Sequence, residues 1–206
     1  ALASAWTGVM GLREMQGFAY ADTPDLPITH DTTLVLGGRT LVIGHPGAPH
    51  TAGDLYVWLL ESRVLFAGDI LIEDGVTLVA DGSSGDLLSA LDTLEALRPA
   101  AVVPGHGRIP ADPAALIDAT RCYTLALRER MRTAVDEGVR MGQALESLPP
   151  PDRDRPVSRA SRQRRDAVRV YSEMERSLMT GSAKPGELAR ERERLKECGG
   201  VVGHGR

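Results

Sequence analysis

Only two cysteines, Cys122 and Cys198, occur in the 206 residues. They lie far apart and outside any C-x-x-C spacing. That argues against a disulfide framework or a cysteine-based zinc knuckle and leaves both as ordinary buried or surface thiols. No apolar run reaches the roughly 18–20 residues that a membrane-spanning helix requires. The opening ALASAWTGVMG has neither the basic start nor the sustained apolar stretch of a secretory leader. Cytoplasm is therefore the expected compartment, with no membrane partner. Strong charge of either sign is also lacking: a net charge of −4 gives no overall field to draw in nucleic acid or an anionic surface. What remains is the composition of a globular protein, 42% hydrophobic and 25% charged, long enough for one domain with a real core and a helical extension.

The chain reads as sheet first and helix later. Residues 33–36 (TLVL) and 40–43 (TLVI) flank Gly37 and Gly38, which predicts a hairpin through a glycine turn. LYVWL at 55–59 and VLFA at 64–67 repeat the pattern, and VTLV at 76–79 predicts a fifth strand. At Ser83 the character changes. Ser83 and Asp86 have capping-box spacing, and Leu87, Leu91, Leu94 and Leu97 recur at helical intervals up to Pro99. AAVV at 100–103 reads as one more buried strand, and Asp112-Pro113 opens a long helix for which Gly138 supplies a stop.

Past the breaker Pro149-Pro150-Pro151, a helix over about 157–179 places Ala167, Val168, Tyr171, Met174 and Leu178 on one face, to pack on the main body. Residues 187–197 (ELARERERLKE) are nearly all charged. Glu187–Arg190, Glu191–Arg194 and Glu193–Lys196 stand three apart, which predicts an exposed terminal helix. The expected division is a domain over 1–148, a proline-rich linker over 149–156, a packed helix over 157–180, and a charged helix with a flexible tail over 181–206.

Three short segments place a metal-ligand residue in a glycine-rich turn beside an apolar strand. They are Pro49-His50-Thr51-Ala52-Gly53-Asp54 before LYVWL, Phe66-Ala67-Gly68-Asp69 closing VLFA, and Pro104-Gly105-His106-Gly107 closing AVV. A rigid sheet holds side chains at strand ends, and glycine lets the backbone approach an ion closely.

In this order, H-T-x-G-D, then V-L-F-x-G-D, then an amphipathic helix and V-V-P-G-H-G, the chain resembles the C-terminal half of the metallo-β-lactamase superfamily over roughly residues 30 to 180. The resemblance implies an α/β (α+β) fold, half of a four-layer αβ/βα sandwich, with additional C-terminal helices. The 1–148 domain would be that half. It further implies that His50 binds a first metal, His106 a second, and Asp69 bridges both as the catalytic carboxylate. Thr51 and Asp54 would hold the His50 loop by hydrogen bonds without touching metal. Two Zn2+ ions are the expected cofactors, with iron or manganese as alternatives. A metal pair can lower the pKa of a bridging water so that hydroxide attacks a small ester, thioester or lactam.

The family's H-x-H-x-D-H string is absent. His30 in ITHDTT does not match it and is read as structural, and His45 as a loop residue. Each metal then has only two protein ligands, so the chain alone is expected to be inactive. The natural polypeptide is expected to be longer at its N-terminus, or the bare apolar sheet face to be covered by self-association or by the C-terminal helices. The alternative is a non-catalytic half-domain, a truncated product or an assembly module without a functional metal site. Arg153, Arg155, Arg159, Arg162, Arg164, Arg165 and Arg169 crowd one stretch. With no interleaved aromatic, and with Asp152, Asp154 and Asp166 among them, the stretch reads as a solvated face rather than a nucleic-acid surface. His204 and Cys198 read as parts of a tail. A small-molecule substrate is the expected partner, and the sequence does not name it.

Overall fold

A computed structural model describes residues 27–73, 75–77, 79, 81–149, 157–182 and 185–200, with the side chains of 157–161, 185 and 200 left aside. Strands β1 (Thr32–Leu36), β2 (Arg39–Gly44), β3 (Tyr56–Leu59) and β4 (Val64–Ile72) form an antiparallel meander, and β5 (Ala101–His106) joins β4 in parallel. Gly37 and Gly38 both have positive φ, +59° and +74°, the conformation that a two-residue hairpin matched to strand twist requires. A parallel neighbour needs a crossover, and helix α1 (Ser84–Ala96) supplies it. Helices α2 (Pro113–Asp136), α3 (Met141–Glu146), α4 (Val157–Thr180) and α5 (Pro185–Glu197) follow, then a short 3-10 turn at Cys198–Gly200.

The strand alternation sorts the sheet into two unlike faces. Val42, Trp58, Leu65 and Val102 lie in register across four strands. On this face they join one core with Leu87, Leu91 and Leu94 of α1, Ile117, Leu127 and Met131 of α2, and Ala167, Val170, Tyr171 and Met174 of α4. The opposite face carries Leu34, Leu41, Ile43, Val57, Leu59, Phe66 and Val103, none of them buried. The mixed α/β class read from the sequence is thus what forms, and among the described residues the helices stack on one side of a five-stranded sheet. Among the described residues, no helix is long and apolar enough to cross a membrane.

Several sequence expectations are corrected. Residues 76, 77 and 79 are not a strand: β5 takes the free edge of β4, and Val76, Thr77 and Val79 are buried as irregular backbone. Its polar groups are satisfied otherwise, the Thr77 hydroxyl by Ile70 O at 2.9 Å and the Val79 amide by the Asp166 carboxylate at 2.8 Å. The apolar content of VTLV reflects burial rather than a pleat. Short α3 was not expected. On α4, Val168 and Leu178 are exposed and Val170 is buried in their place.

Helix α5 forms and is mostly exposed, as expected, but it is docked on the body. Glu191 accepts from Arg128 and Arg132 of α2, each at 2.7 Å, and Arg194 pairs with Asp92 of α1 at 2.7 Å, while Glu193–Lys196 does form within the helix. The two cysteines are not thiols: Cys122 on α2 and Cys198 just past α5 are joined as a disulfide, packed beside Leu88, Leu125 and Leu195. Their separation of 76 residues hid the pairing, since only the docking of α5 brings them together. The expected linker at 149–156 and tail at 201–206, His204 included, lie outside the described residues apart from Pro149.

Candidate metal centre

The carboxyl ends of β4 and β5 and the loop before β3 meet at one corner of the sheet, and each of the three sequence-predicted metal ligands comes from one of them. Asp69 sits on β4 just after Gly68, whose φ of +53° marks an irregularity in the β4–β5 ladder. His106 ends β5. The Nε2 atom of His50 lies 3.6 Å from Oδ2 of Asp69, and Nε2 of His106 lies 3.4 Å from Oδ1. A charge-assisted hydrogen bond would be shorter, about 2.7–2.9 Å. Two donors on one four-coordinate ion, each about 2.0–2.2 Å from it, stand about 3.3–3.5 Å apart, which is close to what is seen.

The two histidines approach different oxygens of the carboxylate. The trio is therefore two pairs sharing Asp69, not one three-donor cage. In keeping with this, no group of three or more His, Cys, Asp or Glu among the described residues is placed to hold a metal ion. The donor chemistry, imidazole with carboxylate, suits a borderline divalent ion at either pair.

The surrounding backbone fixes each donor. Asp54 turns the His50 loop on itself: its Oδ2 accepts from the amides of His50 at 2.6 Å and Thr51 at 3.0 Å, and its Oδ1 from the Thr51 hydroxyl at 2.8 Å. Asp54 O is in turn bonded to the His45 ring at 2.8 Å, which gives His45 a part in the loop. His30 bonds locally, to Thr29. On the far side the N-terminus of α1 holds the same loop. Ser83 caps the helix by accepting from Asp86 N at 3.3 Å, but Asp86 does not close the capping box. Its Oδ2 accepts from Ala48 N at 3.1 Å, and Ser83 N donates to Ala48 O at 2.8 Å.

Some residues that shape the corner were not singled out from sequence. A side chain at Gly105 would strike the Asp69 carboxylate and the Gly68 carbonyl, so only glycine lets β5 bring His106 this close. Glu73 accepts from Arg108 N at 3.2 Å, and its own amide donates to His106 O at 3.0 Å, which fixes the loop after β5. Asp166 is wholly buried on α4. Burial pushes its carboxyl up to about 7, against the opposing pull of the Val79 amide, Tyr123, His50 and Arg165. Gly105 had a visible signal, its place next to a candidate ligand, and Glu73 had none beyond an acid after an apolar strand; Asp166, which follows Arg164 and Arg165 and was read as part of a solvated face, is instead fully buried.

A family sequence model described as the Metallo-beta-lactamase superfamily matches residues 3–106. Metallo-beta-lactamase type 2 of Bacteroides fragilis is 33% identical over 89 residues, covering 41% of this chain and 36% of that protein. Hydroxyacylglutathione hydrolase of Rhodospirillum rubrum is 38% identical over 91 residues, 41% of this chain and 34% of that one. Beta-lactamase-like protein 2 homolog of Caenorhabditis elegans is 35% identical over 77 residues, 37% of this chain and 25% of its own length. The chain thus spans a quarter to about a third of these relatives. A solved metallo-beta-lactamase family protein from Thermus thermophilus aligns over 88% of this chain and 60% of its own, with TM-score 0.59 at 20% identity, which speaks to the fold.

Proposed function

Because the chain belongs to the metallo-beta-lactamase superfamily, we propose that it carries one side of a metal-dependent hydrolytic site, with Asp69 shared between an ion at His50 and an ion at His106. The observation that carries this reading is the approach of the two imidazoles to separate oxygens of one carboxylate, at 3.6 and 3.4 Å. Zinc is the proposed ion, by the donor set. The chemistry such ions supply when bound is polarisation of an acyl oxygen and a lowered pKa for water. This chain's own residues hold that corner in place: Asp54 and the start of α1 fix the His50 loop, and Gly105 allows the close approach of β5. The substrate class is a small ester, thioester or lactam, in line with the relatives named for β-lactams and hydroxyacylglutathione.

Each ion would have two protein ligands here, and catalytic zinc ordinarily has three. The H-x-H-x-D-H string is absent from the 206 residues. The remaining donors of the proposed site are therefore assigned to protein beyond the described residues that packs against the apolar face. In the isolated chain the same apolar face is expected to drive self-association. The same absence favours a second reading, a packing module without catalysis.

Zinc bound at equilibrium, measured by dialysis against about millimolar zinc with atomic emission, separates the two. Under the first reading the chain binds zinc weakly, Asp69→Ala abolishes binding and His106→Ala removes one equivalent. No zinc bound at about millimolar free zinc, far above the dissociation constants of ordinary structural or catalytic sites, would sink it. The chain alone is expected not to hydrolyse β-lactam or thioester substrates above a zinc blank, and robust turnover would overturn the half-site assignment.

A further inference from the structure

A carboxylate at the centre of an apolar core is costly unless its oxygens are used. Those of Asp166 are used by two different elements: Oδ1 accepts from Val79 N at 2.8 Å, and Tyr123 of α2 donates to Oδ2 at 3.1 Å. Val79 belongs to the irregular segment between β4 and α1, where no strand partner satisfies its amide. The segment then turns. Gly82 N donates to Val79 O at 3.0 Å, and Gly82 is packed so closely under the loop before His50 that a side chain would run into the carbonyls of Ala48 and Pro49. The next residue, Ser83, donates its amide to Ala48 O. Two turns further along the same face of α4, Glu173 accepts from Ser84 N at 3.2 Å and from the Ser84 hydroxyl. Helix α4 thus holds Val79 and Ser84, and Gly82 and Ser83 between them are the surface on which Ala48 and Pro49 lie.

We infer that Asp166 is a positioning residue for the His50 loop, acting through the backbone of Val79 and the close contact at Gly82, so that α4 braces the candidate metal corner. The inference rests on the metal-site reading for its functional meaning, but its structural content stands apart. A carboxylate here does what an apolar residue of similar size cannot: it gives an irregular, buried amide its acceptor. With that acceptor removed, the Val79–Gly82 hydrogen bond relaxes, and the Ala48 and Pro49 carbonyls lose the surface that orients them. Groups bonded directly to a ligand typically change metal affinity about 10- to 100-fold, and Asp166, which acts through the intervening backbone, is expected at the low end of that range.

The test compares Asp166→Ala, Asp166→Leu and Asp166→Asn with Val170→Ala, a buried position on the same helix, in the full chain. The readouts are amide hydrogen exchange at Val79 and Ser83 and zinc affinity by direct titration. In Asp166→Ala, both amides should exchange at least about tenfold faster and zinc bind at least about tenfold more weakly, while Val170→Ala lowers global stability without either change. Asp166→Leu, which keeps the volume and removes the acceptor, carries the comparison should the Ala variant not fold. Asp166→Asn retains an acceptor for Val79 and should restore both readouts. Equal effects from Val170→Ala, or an unchanged Ser83 amide in Asp166→Ala and Asp166→Leu, overturn the inference. Absence of zinc binding by the unmodified chain counts against the metal reading alone, and the exchange data then decide this one.

Discussion

At the scale of single residues, the corner is governed by what cannot be enlarged and what cannot be left unpaired. Gly105→Ala places a methyl group against the Asp69 carboxylate. The variant should lose about 1–3 kcal/mol of stability and at least about tenfold in zinc affinity, read by denaturant unfolding and titration. Asp166 gives a pH signature. Its folded-state value is raised to about 7, above that of the unfolded chain, so between about pH 4 and 7 the folded state holds the extra proton. Its contribution therefore falls as pH rises through that window, and Asp166→Asn should flatten this part of a stability–pH curve. A slope unchanged by the substitution would contradict the assignment. His50, Asp69 and His106 could be picked out in sequence because each combines a ligand with a glycine turn at a strand end. Asp166 could not, because its partner is a backbone amide 87 residues away.

Among the elements, the hairpin, the crossover helix and the long helices were legible because each has a strong local signal: paired glycines, Ser83 and Asp112 caps, and leucines at helical spacing. VTLV misled because apolar content records burial whether or not a strand forms. The charged α5 misled for a different reason. Its acids and bases could pair within the helix, but Arg128 and Arg132 of α2, both buried, claim Glu191. Burial opposes ionisation of Glu191, yet the two guanidiniums outweigh it and hold the carboxyl below its usual range. Glu191→Ala leaves two buried cations without their shared partner and should cost about 3–5 kcal/mol. Faster amide exchange along α5 than along α1 would locate the loss.

For the whole molecule, the one-sided sheet dominates. Seven apolar side chains, from Leu34 to Val103, stand unburied on the face away from the helices. The isolated chain should associate as concentration rises, and Val57→Lys with Phe66→Lys should shift it towards monomer in sedimentation velocity. Unchanged association in the double variant would place the contact elsewhere. The disulfide has a different reach. By closing residues 122 to 198 into a covalent ring, it changes what a protease can do to the molecule. Any single cut within the ring, wherever it falls, opens the loop without releasing a piece. The nicked protein should keep its full mass under oxidising conditions and resolve into two fragments only when reductant is added.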